Sequence, residues 1–194
     1  MLNLYPLGRA ISNGVLFPLY QFKVIGKENF PTEGGVLLCA NHIHNFDPEV
    51  VGITAPRPIH FMAKEELFSV PILGKILPHI NAFPVKRGMS DRGALRNGLA
   101  ILKEEKVLGL FPEGTRSKTG ELGEGLAGAG FFALRSNAHI VPCAIIGPYK
   151  VFKRLKVVYG KPIDMAEYRK NKATPEEVTE LIMNEINKLI LAHK

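Results

Sequence analysis

Apolar residues in this chain form short continuous runs separated by segments with helical spacing. The runs are rich in valine, isoleucine and leucine and are bounded by glycine, proline or asparagine, which predicts seven β-strands. The predicted strands cover residues 20–25, 35–40, 59–63, 80–85, 107–111, 140–146 and 155–159. Several runs have no polar face, as is typical of strands covered on both sides.

Between the strands, apolar residues recur at steps of three and four, the spacing of one helical face. Ser90 is predicted to cap one helix, residues 126–136 to form a second, and Thr174 to cap the last. Thr174 is followed by proline and by Glu177, a capping pattern. Strands that alternate with helices predict an α/β fold, a single domain with a largely parallel or mixed central sheet covered by helices.

The first 20 residues predict a short amphipathic helix that precedes the domain of residues 21–194. Its apolar stripe consists of Leu4, Leu7, Ile11, Val15 and Leu19. Pro18 should end or kink the helix. The polar side is thin, so the helix can pack on the domain or lie in a lipid interface.

Composition and net charge indicate which classes of binding partner suit the protein. The 194 residues are 46% hydrophobic and 22% charged, which is ordinary for one globular domain. The net charge of +7 at pH 7 predicts an acidic partner. No aromatic-interleaved basic strand or nucleic-acid module is present, which favours an anionic lipid surface or an acidic carrier protein over nucleic acid.

Two further features of the sequence bear on the cellular location of the protein and on the state of its cysteines. No segment approaches the ~20 consecutive apolar residues that span a bilayer, and no signal-peptide pattern is present, so a cytoplasmic or membrane-surface protein is expected. The two cysteines, Cys39 and Cys143, lie inside apolar runs. They are predicted to be buried hydrophobic residues rather than a disulfide or a metal site.

Residues 41–47 follow a predicted strand and carry two side chains suited to proton transfer. Open α/β sheets bind ligands beyond the carboxyl ends of their strands, which is where His42 falls. A neutral imidazole can accept a proton near pH 7. Asp47, five residues on, can hold one ring nitrogen by a hydrogen bond and leave the other free.

Two other interpretations of this segment stay open on the residues alone. His42 can be a loop histidine without chemistry, with Asp47 serving only as a helix cap before Pro48. His42 and His44 also form a His-x-His pair, a spacing that some metallohydrolases use. No further cluster of cysteine, histidine and carboxylate at ligand spacing is evident in the sequence, so no metal is predicted.

Two cationic loops follow other predicted strands. Residues 111–117, Phe-Pro-Glu-Gly-Thr-Arg-Ser, contain a turn whose backbone N–H groups suit a phosphate, with Thr115 and Arg116 as further donors. Residues 83–88 supply Lys86 and Arg87. Two cationic loops and a His–Asp loop predict one site for a phosphate-bearing substrate with a nucleophile to deprotonate.

Together these segments resemble the glycerolipid acyltransferase family. Residues 41–47 match its N-H-x-x-x-x-D motif and residues 111–117 its F-P-E-G-T-R-S motif. Residues 84–87 match its arginine-containing second motif and residues 140–145 its proline-centred fourth. Residues 63–68 resemble the lysine-bearing segment between the first two motifs.

The resemblance implies acyl transfer from acyl-CoA or an acyl carrier protein to the sn-2 hydroxyl of lysophosphatidate, which forms phosphatidate. His42 would be the general base and Asp47 its support. The implied substrate-binding residues are Lys64, Lys86, Arg87, Glu113, Gly114, Thr115 and Arg116. No cofactor is implied. Because the acceptor is an amphiphile, a peripheral position on anionic lipid at the inner face of the cell membrane is expected.

Within this expectation, Arg87 and Arg116 are candidates for the acceptor's phosphate and Lys64 for the developing oxyanion. Glu113 is expected to position an arginine or contact the glycerol. Two positions depart from the family pattern: His44 stands where a small hydroxyl residue is common, and Ala127 replaces a frequent lysine. Other acceptors, such as glycerol 3-phosphate or another lysophospholipid, a metallohydrolase, and a noncatalytic lipid- or phosphate-binding module stay as alternatives.

Overall fold

The structure is a computed structural model that describes residues 3–86 and 91–194. Its strands are β1 (Gln21–Ile25), β2 (Val36–Ala40), β3 (Ile59–Lys64), β4 (Ala82–Val85), β5 (Val107–Leu110), β6 (His139–Ile146) and β7 (Arg154–Tyr159). Its helices are α1 (Tyr5–Leu19), α2 (Asp47–Thr54), α3 (Glu65–Phe68), α4 (Leu73–Ile76), α5 (Arg92–Lys103), α6 (Gly128–Arg135), α7 (Ala166–Lys170) and α8 (Pro175–His193). Short 3₁₀ turns occupy Lys27–Asn29 and Leu77–Ile80.

The strands form one mixed sheet in the order β1-β7-β6-β2-β5-β3-β4. Neighbouring strands are parallel except for β6 and β7. The predicted α/β fold with a mixed central sheet is therefore confirmed. Because β2 lies between β5 and β6 and runs parallel to both, the loops that follow these three strands meet at one edge of the sheet.

Strand β2 shows why the central runs are apolar throughout. Val36, Leu38 and Ala40 belong to the core on one face of the sheet, which α1 and α2 cover. Leu37 and Cys39 belong to the core on the opposite face, under α5, α6 and α8. Successive strand side chains point to opposite faces, so a strand between two helical layers has no position for a polar residue.

Of the two predicted helix caps, one is confirmed and the other is wrong. The predicted capping box of α8 is confirmed, with Thr174 Oγ1 accepting from Glu177 N at 3.2 Å and Glu177 Oε2 accepting from Thr174 N at 2.7 Å. The predicted cap of α5 is wrong. Ser90 lies outside the described residues, and the cap is Asp91, whose Oδ1 accepts from Ala94 N at 3.0 Å. Aspartate performs this role as well as serine.

The N-terminal helix is confirmed as α1, and Pro18 lies in its last turn before it ends at Leu19. Within the described residues, no helix combines the length and the apolar character needed to cross a bilayer. The short helices α3, α4 and α7 were not predicted, because four or five residues are too few to show a helical period.

Helices α6 and α8 approach each other closely at Gly130. A Cβ atom at this position would lie 1.8 Å from the backbone oxygen of Pro175. Gly130 N also donates to Thr179 Oγ1 at 2.9 Å. The close approach matters for the site because α6 forms part of the wall of the cavity described below.

We expect Gly130→Ala to lower the free energy of unfolding by about 1–3 kcal/mol, because the methyl group would meet backbone that cannot rotate away. Chemical denaturation measures the change. Gly128→Ala is the matched control, since a Cβ there meets nothing within 4 Å. A stability loss of equal size in both variants would contradict the close packing of α6 on α8.

Candidate active site

Three loops at the carboxyl edge of the sheet build the site. His42 lies in the loop between β2 and α2, residues 111–117 follow β5, and Tyr149 follows β6. Asn41 fixes the first loop to β6, because its Nδ2 donates to Ile145 O at 2.9 Å and its Oδ1 accepts from Ile145 N at 2.7 Å. The residue before the histidine is therefore bonded to the backbone of β6 by two hydrogen bonds.

The predicted His–Asp pair is formed. His42 Nδ1 lies 2.7 Å from Asp47 Oδ2, and Asp47 is fully buried. The same oxygen accepts from the backbone N–H groups of Ile43 at 2.6 Å and His44 at 2.7 Å. A buried carboxylate is stable when donors surround it. The carboxylate orients Nδ1 as the protonated nitrogen, so Nε2 is the nitrogen that can accept a proton.

Asp47 is the first residue of α2 but not its cap. The N-cap position belongs to Phe46, and no side chain caps the helix. Instead, the Asp47 carboxylate turns back over the loop that precedes the helix. Its partners, besides the two backbone groups, are His42 and the hydroxyl of Tyr149, which donates to Oδ1.

The backbone of His42 is held from both sides by the loop after β5. His42 N donates to Glu113 Oε1 at 2.9 Å, and His42 O accepts from Ser117 N at 2.8 Å. The imidazole ring stacks on Phe111, with ring centroids 4.3 Å apart. Residues 41–47 and residues 111–117 are thus in direct contact, and these contacts fix the position of the imidazole ring.

Glu113 occupies a different environment from the one expected for it. Its Oε1 accepts from His42 N, and its Oε2 accepts from Gly123 N at 3.3 Å. Burial raises the pKa of Glu113, and the two backbone donors partly offset this effect. The carboxyl group therefore links three loop segments, whereas sequence reasoning assigned it to an arginine or to the glycerol.

A cavity of about 780 Å³ extends from His42 beneath α5 and α6. Its wall is mostly apolar, and it includes Met62, Val85, Leu95, Leu110, Phe131 and Phe132. This volume is in the range of small-molecule sites. The apolar wall was missed by sequence reasoning, because residues such as Leu95 have the same helical spacing as core residues.

The predicted substrate-binding residues fall into two groups. Lys86, Glu113, Gly114 and Thr115 line the cavity, whereas Lys64 and Arg116 are exposed and are not among its wall residues. Lys86 Nζ lies 3.7 Å from Glu65 Oε1.

Arg87 lies outside the described residues. Gly114 has a φ of +67°, and a Cβ there would lie 2.5 Å from Leu126 Cδ1, so the turn requires glycine.

The cysteines are buried and free, as predicted. Burial raises the pKa of Cys39 to about 12 and raises the pKa of Cys143 as well. A thiol with such a pKa stays protonated at neutral pH, and the thiolate is the nucleophilic form. Neither cysteine therefore has the properties of a nucleophile.

The ring of His44 contacts neighbouring protein groups and is not part of a metal-ligand cluster in the described residues. It stacks on Tyr149 with centroids 4.1 Å apart, and its Nδ1 accepts from Phe46 N at 3.3 Å. Over residues 3–86 and 91–194, no group of three or more histidine, cysteine, aspartate or glutamate side chains is placed to hold a metal ion. The metallohydrolase interpretation thus finds no ligand set in this part of the chain.

With this geometry in place, comparison with known proteins identifies the family. The family model described as Acyltransferase matches residues 21–146, more than half of the chain. The chain belongs to this acyltransferase family. The matched region contains His42, Asp47 and the whole of residues 111–117, so the joined loops described above lie inside the family match.

Individual relatives agree with this assignment. The chain is 35% identical over 152 residues to the 1-acyl-sn-glycerol-3-phosphate acyltransferase of Bacillus subtilis, covering 75% of each chain. It is 30% identical to the enzyme of the same name from Streptococcus pneumoniae, over 79% of this chain and 60% of that one. It is 26% identical to the chloroplastic LPAT1 of Arabidopsis thaliana, of which it spans 45%.

A solved structure shows the same fold. The crystal structure of the 1-acyl-sn-glycerophosphate acyltransferase PlsC from Thermotoga maritima matches with a TM-score of 0.77 and 21% identity. The match covers 98% of this acyltransferase and 79% of that chain. It therefore extends beyond residues 21–146 and includes most of the N-terminal helix and of α8.

Proposed function

We propose that this acyltransferase moves an acyl group from an acyl thioester to the sn-2 hydroxyl of 1-acylglycerol 3-phosphate, forming phosphatidate. The observation that carries the proposal is the buried Asp47 carboxylate bonded to His42 at the wall of an apolar cavity. The names of the bacterial and plant relatives support this acceptor.

The reaction is one direct transfer. His42 Nε2 takes the proton of the acceptor hydroxyl while its oxygen forms a bond to the thioester carbonyl carbon. The C–S bond then breaks, and the imidazolium returns the proton to the leaving thiolate. Asp47 stabilises the imidazolium throughout. The protonated, buried state of Cys39 and Cys143 favours this route over an acyl-enzyme on cysteine.

The charges and the cavity suggest where each substrate binds. The apolar wall beyond His42 suits an acyl chain. Lys86 on the wall, Arg87 next to it in sequence, and Arg116, which follows the wall residue Thr115, would bind the acceptor's phosphate. Lys64 would face the developing oxyanion. Gly114 and Thr115 line the cavity next to Glu113, and they would lie between the base and the bound phosphate. Either acyl-CoA or an acyl carrier protein fits the net charge of +7.

We expect His42→Ala to lower kcat by about 10²–10⁴-fold, the usual contribution of a positioned general base. Thiol release from an acyl thioester in the presence of lysophosphatidate measures the rate. The acceptor KM should change little, because the base does not hold the phosphate. A variant that keeps more than about a tenth of the wild-type kcat would contradict the assignment.

Three comparisons make this test specific. His139→Ala removes an exposed histidine at the start of β6, at the opposite edge of the sheet, and should leave kcat unchanged.

Arg116→Ala should raise the acceptor KM with a smaller effect on kcat. Replacing lysophosphatidate by glycerol 3-phosphate or another lysophospholipid, with the same thioester, identifies the preferred acceptor.

We also propose that α1 binds an anionic membrane surface. Its polar side chains face the protein: Arg9 donates to Ile53 O at 3.1 Å and to Ala55 O at 2.8 Å, and the Tyr5 hydroxyl accepts from Ile59 N at 3.1 Å. These contacts anchor α1 to the end of α2 and the start of β3. Because these polar side chains are bonded to the domain, the helix face that points to solvent can be apolar.

The outward face of α1 is apolar as a consequence. Leu7, Ile11 and Val15 are 57%, 59% and 54% exposed. They are members of the stripe predicted from the sequence, and their spacing of four residues places them on one side of the helix. An exposed apolar helix face together with a net charge of +7 suits a peripheral position on anionic lipid at the inner face of the membrane.

We expect Ile11→Glu to weaken binding to vesicles of phosphatidylglycerol and phosphatidylcholine at least about tenfold, because it removes apolar area and adds a repelled charge. Vesicle sedimentation measures the affinity. Leu191→Glu is the matched control, since Leu191 is 68% exposed on α8. Equal binding of both variants would place α1 outside the lipid contact. Point substitution is preferable to deletion, because Leu16 of α1 is buried in the core.

A further inference from the structure

The second oxygen of Asp47 has a partner that the motif does not contain. Asp47 Oδ2 is bonded by His42 Nδ1 and two backbone N–H groups, whereas Oδ1 accepts from the hydroxyl of Tyr149, 102 residues away in sequence. A carboxylate that is fully removed from water depends on each of its donors. Tyr149 is the side chain that satisfies this oxygen.

Tyr149 is itself held in place on both sides. Its ring stacks on His44 with centroids 4.1 Å and planes 17° apart, and it meets Tyr20 edge-on at 5.6 Å. Burial and the charge of Asp47 raise the pKa of Tyr149, so the phenol remains a donor at neutral and alkaline pH. His44 therefore contributes to holding the Tyr149 ring in place.

We infer that Tyr149 is a positioning residue for the His42–Asp47 pair, and that its hydroxyl sets how readily the pair takes up a proton. The inference rests on the proposed function of His42 as the base. The Tyr149 hydroxyl stabilises the negative charge of Asp47. Without this donor the charge is less stabilised, and the pair binds a proton more tightly, which raises its apparent pKa.

Other titratable groups around the pair belong to several elements. Glu49 lies on α2, Glu113 follows β5 and Cys143 lies on β6, and each interacts electrostatically with Asp47. Tyr20 directly follows α1, and His44 lies in the loop itself. A substitution at Tyr149 leaves all five groups in the chain, so a change in the apparent pKa of the pair can be assigned to the hydroxyl.

The test is the pH dependence of kcat/KM for Tyr149→Phe, which keeps the ring and its stacking. We expect the acidic limb of the profile to move to higher pH by about one unit, because a hydrogen bond to a charged group is worth roughly that much. The rate on that limb then falls about tenfold, and the rate on the alkaline side falls less. A residue that only packs would lower the whole profile without moving the limb.

Two controls sharpen the result. Tyr20→Phe removes the hydroxyl of the neighbouring tyrosine, which is not a donor to Asp47, and should leave the limb in place. Site-specific 3-fluorotyrosine at position 149 makes the phenol a stronger donor without changing the packing. It should move the limb to lower pH, and it decides the question even if Tyr149→Phe unfolds.

A second readout does not depend on activity. The imidazole signals of His42, assigned by their loss in His42→Gln, can be titrated by NMR in the wild-type protein and in both Tyr149 variants. We expect the His42 titration to move up with phenylalanine and down with fluorotyrosine. An unchanged titration would overturn the inference. Absence of thiol release by the wild-type enzyme would instead overturn the proposed function and leave the NMR result to decide the role of Tyr149.

Discussion

The site depends on one fully buried carboxylate. Asp47 has no contact with water, so its charge must be stabilised by donors supplied by the protein. Those donors are His42, the backbone N–H groups of the loop, and Tyr149 from beyond β6. The carboxylate therefore fixes the ring orientation and the tautomer of His42, and it joins two distant parts of the chain.

The sheet makes this arrangement possible. Strand β2 lies between β5 and β6 and runs parallel to both, so the loops that carry His42, Glu113 and Tyr149 meet at one edge. Asn41 bonds the first loop to β6, and Glu113 bonds it to the loop after β5. The apolar helical layers that cover both faces hold the strands in register.

Local patterns in the sequence were sufficient to predict much of this structure. The strands, α1, the capping box at Thr174 and the pairing of His42 with Asp47 each depend on residues close in the chain. Strand order and the role of Tyr149 could not be predicted, because they depend on contacts between distant segments. Glu113 was recognised as part of a motif, but its bond to His42 N becomes visible only when both loops are placed.

Two other features could not be determined from the sequence alone: which face of α1 points inward, and which residue caps α5. The apolar stripe of α1 was predicted, but only the bonds of Arg9 to Ile53 and Ala55 show which side of the helix faces inward. The cap of α5 falls on Asp91, one residue after the predicted Ser90, because adjacent residues of similar capping strength compete for one position. Sequence patterns thus locate such features to within a residue or a face, and contacts decide between the alternatives.

The decisive measurement is thiol release from acyl-CoA and from an acyl carrier protein thioester, with and without lysophosphatidate, in the wild-type enzyme and in Asp47→Asn. Asparagine keeps the size of the side chain but removes the charge that, in the proposed mechanism, supports the imidazolium. We expect release to require the acceptor and to fall at least about a hundredfold in the variant. Release that is independent of lysophosphatidate, or equally fast in Asp47→Asn, would contradict the proposed mechanism.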